Sequence, residues 1–118
     1  MDKQDYIEQA AKWAERNGFT QIQANTPGYE MPVGFGRSQD GQSFIPDVTG
    51  QRWEEKSYFE VILKTANLND LVSKLNLLYQ LTQLRGGAVY LMAPKTHVPF
   101  ARSVLAKSRI RAEIIALS

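Results

Sequence analysis

Residues 57 to 64 read SYFEVILK, apolar at odd and even positions alike. A strand with one wet face alternates apolar and polar side chains, whereas a strand apolar on both faces needs a covering layer on each side. This run therefore belongs in the middle of a sheet, and the rest of the chain has to supply helices above and below it. At 118 residues it has the length for one such domain, residues 1–118, and not for two.

The flanking segments supply those layers. Residues 2 to 17 place Tyr6, Ile7, Ala10, Ala11, Trp13 and Ala14 on one arc at helical spacing, with Asn17-Gly18 as the stop. Glu8 and Lys12 form an i,i+4 pair on the opposite arc. A first strand is expected at Phe19 to Ala24, followed by turn residues and a Gly- and Pro-rich stretch from Tyr29 to Gly41 that fits a ragged strand and hairpin loop. Ser43 to Thr49 and Ser57 to Lys64 form the next two strands, joined by GQRWEEK as a medium-length hairpin loop. Asn67 to Arg85 is a long helix, capped by Asn67 or Asn69 and stopped at Gly86-Gly87. Its main stripe is Leu68, Leu71, Val72, Leu75, Leu78 and Tyr79. A second stripe, Leu77, Leu81 and Leu84, calls for cover by a further helix or by a second copy of the chain, the latter a homodimer through those leucines. AVYLMAP at 88–94 is a buried strand, His97 to Lys107 a short helix and Ala112 to Leu117 a last strand.

Composition excludes several chemistries. There is no cysteine and one histidine, His97, so disulfides, thiol nucleophiles and Cys- or His-rich zinc sites are out. No apolar run approaches the roughly 20 residues that span a bilayer, and the polar opening MDKQDYIEQA lacks a signal-peptide pattern, so no membrane partner and a cytoplasmic location are expected. Charge is divided unevenly: residues 1–66 hold ten acids and seven bases, residues 67–118 two acids and seven bases. A basic half beside an acidic one suits a protein that grips a polyanion, and equally a chain with one solvated basic face.

Acidic residues are disfavoured in strands, yet Asp47 and Glu60 sit in two of the apolar runs. With the hairpin centred between Trp53 and Glu54, residue 47 faces residue 60, and directly opposed Cβ atoms lie about 4.5–5.5 Å apart on one face. Two ionised carboxylates that close repel, and either a raised pKa or a bound cation relieves the repulsion. In this chain all-oxygen ligation points to Mg²⁺ or Mn²⁺. The blander alternatives are a strand-end residue for Asp47 and an ion-pair partner of Lys56 or Lys64 for Glu60.

The α-β-β-β-α-β order, Pro46-Asp47 at a strand end and Glu60 one hairpin later resemble the PD-(D/E)XK nuclease superfamily, the restriction-endonuclease-like fold. The topology covers nearly the whole chain and the motif residues 45 to 64. The resemblance implies an α/β domain with a central mixed sheet flanked by helices, and a Mg²⁺-dependent nuclease cutting DNA with Asp47 and Glu60 on the metal. The family's lysine, two residues after the Glu, is absent: Ile62 stands there. Lys64 on the same strand and Lys74 on the following helix are the candidate replacements. Gln80 is similar to a helix glutamine of some members, and Glu8 or Glu15 stands where others contribute an extra acid. Arg102, Lys107, Arg109 and Arg111 are the candidate nucleic-acid contacts, and Trp53 beside Arg52 is a candidate for stacking on a base. His97 is more simply a helix-opening residue than a general base, and GFGR at 34–37 lacks the strand-to-helix setting of a phosphate loop. Loss of the lysine equally suits a degenerate domain that binds nucleic acid or protein without cutting.

Overall fold

The computed structural model describes residues 2–36, 43–64 and 67–117. Helix α1 spans Lys3–Arg16, and its start is fixed by a reciprocal cap: the Asp2 carboxylate accepts from the Asp5 amide and the Asp5 carboxylate from the Asp2 amide. Its buried residues are Ile7, Ala10, Ala11 and Ala14; three alanines let the helix axis lie close to the sheet.

Strand β1 (Thr20–Ala24) follows, then a two-residue ladder of β2 (Phe35–Gly36) with β3 (Ser43–Phe44). Residues 37–42, part of the segment expected to be a ragged hairpin, lie outside the described residues. The third expected strand does not run from Ser43 to Thr49. Strand β4 is Val48–Arg52, and Ser43–Phe44 belongs to the small ladder. Pro46, which has no N–H to give a ladder, separates the two. The expected GQRWEEK loop is also mostly strand, because β5 spans Glu55–Val61 and only Trp53 and Glu54 connect it to β4. The hairpin centre is nevertheless where the sequence placed it, since Arg52 pairs with Glu55 and Val48 with Phe59.

Helix α2 (Leu68–Arg85) is capped by Asn67, whose side chain accepts from the Asp70 amide, and stops at Gly86 and Gly87, both at positive φ. Strand β6 (Val89–Pro94), a single 3₁₀ turn, helix α3 (Val98–Ser108) and strand β7 (Glu113–Leu117) complete the order. The sheet runs β1-β4-β5-β6-β7, antiparallel between β1, β4 and β5 and parallel between β5, β6 and β7. This is an α/β fold with a mixed sheet flanked by helices, as the sequence led us to expect.

SYFEVILK divides its side chains between two cores. Phe59 and Val61 pack with α1, Ala24, Val48 and Met92, while Tyr58 and Ile62 pack with Leu71, Leu75, Leu78, Leu91 and Val104 beneath α2 and α3. On that second face α2 rests on β5 and β6, and α3 on β6, β7 and α2. Of the second leucine stripe, Leu81 packs against this core and Leu84 stays 82% exposed.

Candidate active site

Asp47 is the residue just before β4, held there because Pro46 ends the preceding segment and the Asp47 carbonyl accepts from the Asn25 amide at 2.8 Å. Glu60 is the penultimate residue of β5. The register that pairs Val48 with Phe59 continues to bring position 47 against position 60. Both side chains are almost wholly buried, at 3% and 1% exposure. They interlock: the Asp47 amide donates to Glu60 Oε2 at 2.7 Å, and the Val61 amide donates to Asp47 Oδ2 at 2.9 Å. One oxygen of each carboxylate is thereby fixed by backbone, leaving Asp47 Oδ1 and Glu60 Oε1 to meet a cation.

That cation is Lys74. Its Nζ lies 2.5 Å from Glu60 Oε1 and 3.7 Å from Asp47 Oδ1. On α2 it is one residue from Leu75, three from Leu71 and four from Leu78, all buried, so its methylene stem runs beside the core while the ammonium reaches the sheet. Lys3, in the first turn of α1, approaches Asp47 Oδ1 from the side at 3.4 Å and is half exposed. Nothing in the sequence singles out Lys3, because its place depends on how the start of α1 meets the entry to β4. Among the described residues these two lysines are the cations paired with the carboxylates.

Burial, and then the neighbouring Asp47 charge, raise the Glu60 carboxyl from its ordinary range to about 7, with Lys74 opposing the shift. Burial by itself would lower the Lys74 ammonium, but the charges of Glu60 and Asp47 outweigh it and the net shift is upward. The site therefore keeps a firmly protonated lysine between two acids, one of which is ready to give up or take a proton near neutrality.

The other candidates lie elsewhere. Lys64 is exposed beyond the end of β5, and its backbone amide donates to His97 Nδ1 at 2.9 Å. His97 thus clamps the end of that strand to the start of α3 and serves as an acceptor. Ile62, at the motif's lysine position, is fully buried in the α2–α3 core. Gln80 is exposed; Glu8 pairs with Lys12 and Glu15 accepts from the Tyr29 hydroxyl. Trp13 packs against Phe59 and Tyr90. Trp53 is 81% exposed with the Arg52 guanidinium over its ring. Arg102, Lys107, Arg109 and Arg111 are all exposed, the first two on α3 and the others just after it, so α2 stands between them and the open β1–β4 part of the sheet.

As a metal site the arrangement offers two carboxylates and no third: no group of three or more His, Cys, Asp or Glu is found among the described residues. Two carboxylate oxygens already converging on one cation are the donor set that Mg²⁺ or Mn²⁺ uses, with water and phosphate oxygens completing the shell. Comparison with protein-family models, with curated proteins and with solved structures gives no match.

Proposed function

We propose that this chain is a Mg²⁺- or Mn²⁺-dependent phosphodiester hydrolase of the PD-(D/E)XK type acting on DNA, its lysine supplied by α2 as Lys74. The observation that carries this reading is the meeting of Asp47, Glu60 and Lys74 at one buried point, with each acid locked by a backbone amide and its remaining oxygen turned to the ammonium. Asp47 Oδ1 and Glu60 Oε1 would hold the metal. A bound divalent ion there supplies Lewis-acid polarisation of the phosphoryl group and a water of lowered pKa. Lys74, released from the carboxylates, keeps its proton, orients the attacking water and opposes the charge that builds on the phosphoryl oxygens. Glu60 yields its proton as the site fills, which makes occupancy weaker in acid.

One observation favours a second reading, the degenerate domain. All four carboxylate oxygens have protein partners, which is how a purely structural ion-pair cluster satisfies itself. A cleavage assay separates the two. Labelled single-stranded, duplex and branched DNA are incubated with Mg²⁺ or Mn²⁺ and with wild type, Asp47→Asn or Lys74→Met, each checked for folding by near-ultraviolet circular dichroism. The hydrolase reading predicts metal-dependent cleavage that falls about 100-fold or more in both variants. Binding without cleavage by wild type would establish the degenerate domain instead.

A further inference from the structure

The face of the sheet that carries the two acids is only partly covered. Since α2 rests on β5 and β6 and α3 on β6 and β7, no helix among the described residues lies over the β1–β4 part of that face. A cavity of about 400 Å³ lies there, lined by Gln21, Gln23, Glu30, Thr49, Gln51 and Lys56 among others. That is the size range, roughly 300–1,000 Å³, of sites that take a small organic group.

The carboxylates do not line this trough but lie on the same face of the sheet, next along the strand from Thr49, one of its lining residues. Asp47, Thr49 and Gln51 are alternate residues and so share one face, each step advancing about 6.6–6.8 Å along β4. Across the ladders Thr49 pairs with Gln23 on β1, and Gln51 with Lys56 on β5. Its lining sets three glutamine amides and one hydroxyl beside Ile22, Val33 and Gly50, with one lysine and one glutamate, and is unlike a phosphate-binding surface. Thr49 donates to Gln23 Oε1 at 3.3 Å, and Gln23 Nε2 to Glu30 Oε1 at 3.2 Å, so part of the floor is braced. Gln51 and Gln21 make no side-chain hydrogen bond among the described residues. Gln21 also sits at φ +51 in a bulge, where β1 advances three steps, Thr20 to Gln23, against two steps of β4, Gln51 to Thr49. A bulge re-aims side chains at a strand edge, and a non-glycine residue at positive φ is an uncommon expense for a fold to carry.

We propose that this trough is the subsite for a nucleobase adjoining the scissile phosphate, and hence that the substrate is single-stranded nucleic acid. The inference rests on the reading of Asp47, Glu60 and Lys74 as the hydrolytic site. A strand laid along β4 with its phosphodiester at the acids brings the next base over Thr49 and Gln51, where amides meet its hydrogen-bonding edge, and brings Lys56 to a following phosphate. Amides that read duplex project into its groove, whereas amides recessed in a trough meet the edge of a base splayed out of a single strand, so single strands are preferred. Glutamine pairs best with the adenine edge.

The test uses short oligomers of A, C and T, DNA and RNA, with a duplex of equal length, titrated into isotopically labelled protein while the glutamine side-chain amides are followed by NMR. The expected result is saturable shifts of Gln51 and Gln21 with single strands, strongest for adenine and absent for duplex, and about a 10-fold weaker affinity in Gln51→Leu. Shifts confined to other surfaces, or equal affinity in Gln51→Leu, overturn the subsite. Cleavage measured alongside keeps the two ideas apart. Metal-dependent cutting that ignores Gln51→Leu and prefers duplex refutes the subsite alone, while Gln51-dependent binding with no cutting supports the base site and refutes the hydrolase.

Discussion

Glu60 is the residue whose surroundings are most at odds with its chemistry. It sits in a strand interior between Phe59 and Val61, is 1% exposed and holds its proton up to about pH 7. In the unfolded chain the same carboxyl titrates near 4.5. Between those values the folded state binds more protons than the unfolded one, so raising the pH through that window favours unfolding. The expected outcome is that wild type loses up to about 3 kcal/mol from this group between roughly pH 4.5 and 7, and that Glu60→Gln loses none of it. Urea unfolding of both proteins at intervals across the window measures the difference; parallel profiles would mean that the carboxyl is charged and well compensated throughout. The acidic pair was readable in the sequence because a hairpin registers opposite residues by simple counting. The choice between Lys64 and Lys74 was not readable. It depends on where β5 ends and on the angle at which α2 crosses it, and neither is encoded in local pattern.

The β4–β5 hairpin sets that register, and its turn is built from unfavourable residues. Trp53 and Glu54 both adopt positive φ, +54 and +64, in a two-residue loop. Such loops favour Asn-Gly, because a side chain at positive φ meets its own backbone. This is why the segment read as a longer loop: none of the usual tight-turn residues is present, and the charges of Arg52, Glu55 and Lys56 mask strand positions whose side chains reach solvent. What holds the tip is Arg52, stacked over Phe19 at 4.1 Å and Trp53 at 4.6 Å and donating to the Asn17 carbonyl at 2.9 Å. The turn is thereby tied to the end of α1. Glu54→Gly, which relieves one strained residue and leaves the Arg52 stack in place, is expected to raise stability by about 1 kcal/mol. Thermal unfolding reads this directly, and a lower midpoint would show that the Glu54 side chain makes a compensating contact. The helices were easier to read, since capping residues and 3.6-residue periodicity are local, and α1 and α2 begin and end within a residue or two of where their caps and glycines place them.

Across the whole molecule the charged groups fall into two separate regions. The buried acids of β4 and β5 meet Lys74 and Lys3 beneath one flank of α2, while Arg102, Lys107, Arg109 and Arg111 lie exposed on and after α3, on its other flank. A count of charges along the chain shows that the second half is basic but not that α2 divides it from the acids. In three dimensions the face of β1 and β4 with its polar trough, and not α3, lies on the Asp47 side of α2. In the proposed reading Asp47 and Glu60 would hold a divalent ion, with Lys74 in its place when none is bound. Calorimetric titration of Mn²⁺ at pH 8 into wild type, Asp47→Asn and Lys74→Met tests it most directly. The expected outcome is saturable uptake of about one ion by wild type, loss of that uptake in Asp47→Asn, and tighter uptake in a folded Lys74→Met, where the competing ammonium is gone. No uptake by wild type or by folded Lys74→Met would contradict it and make the three residues a structural ion-pair cluster.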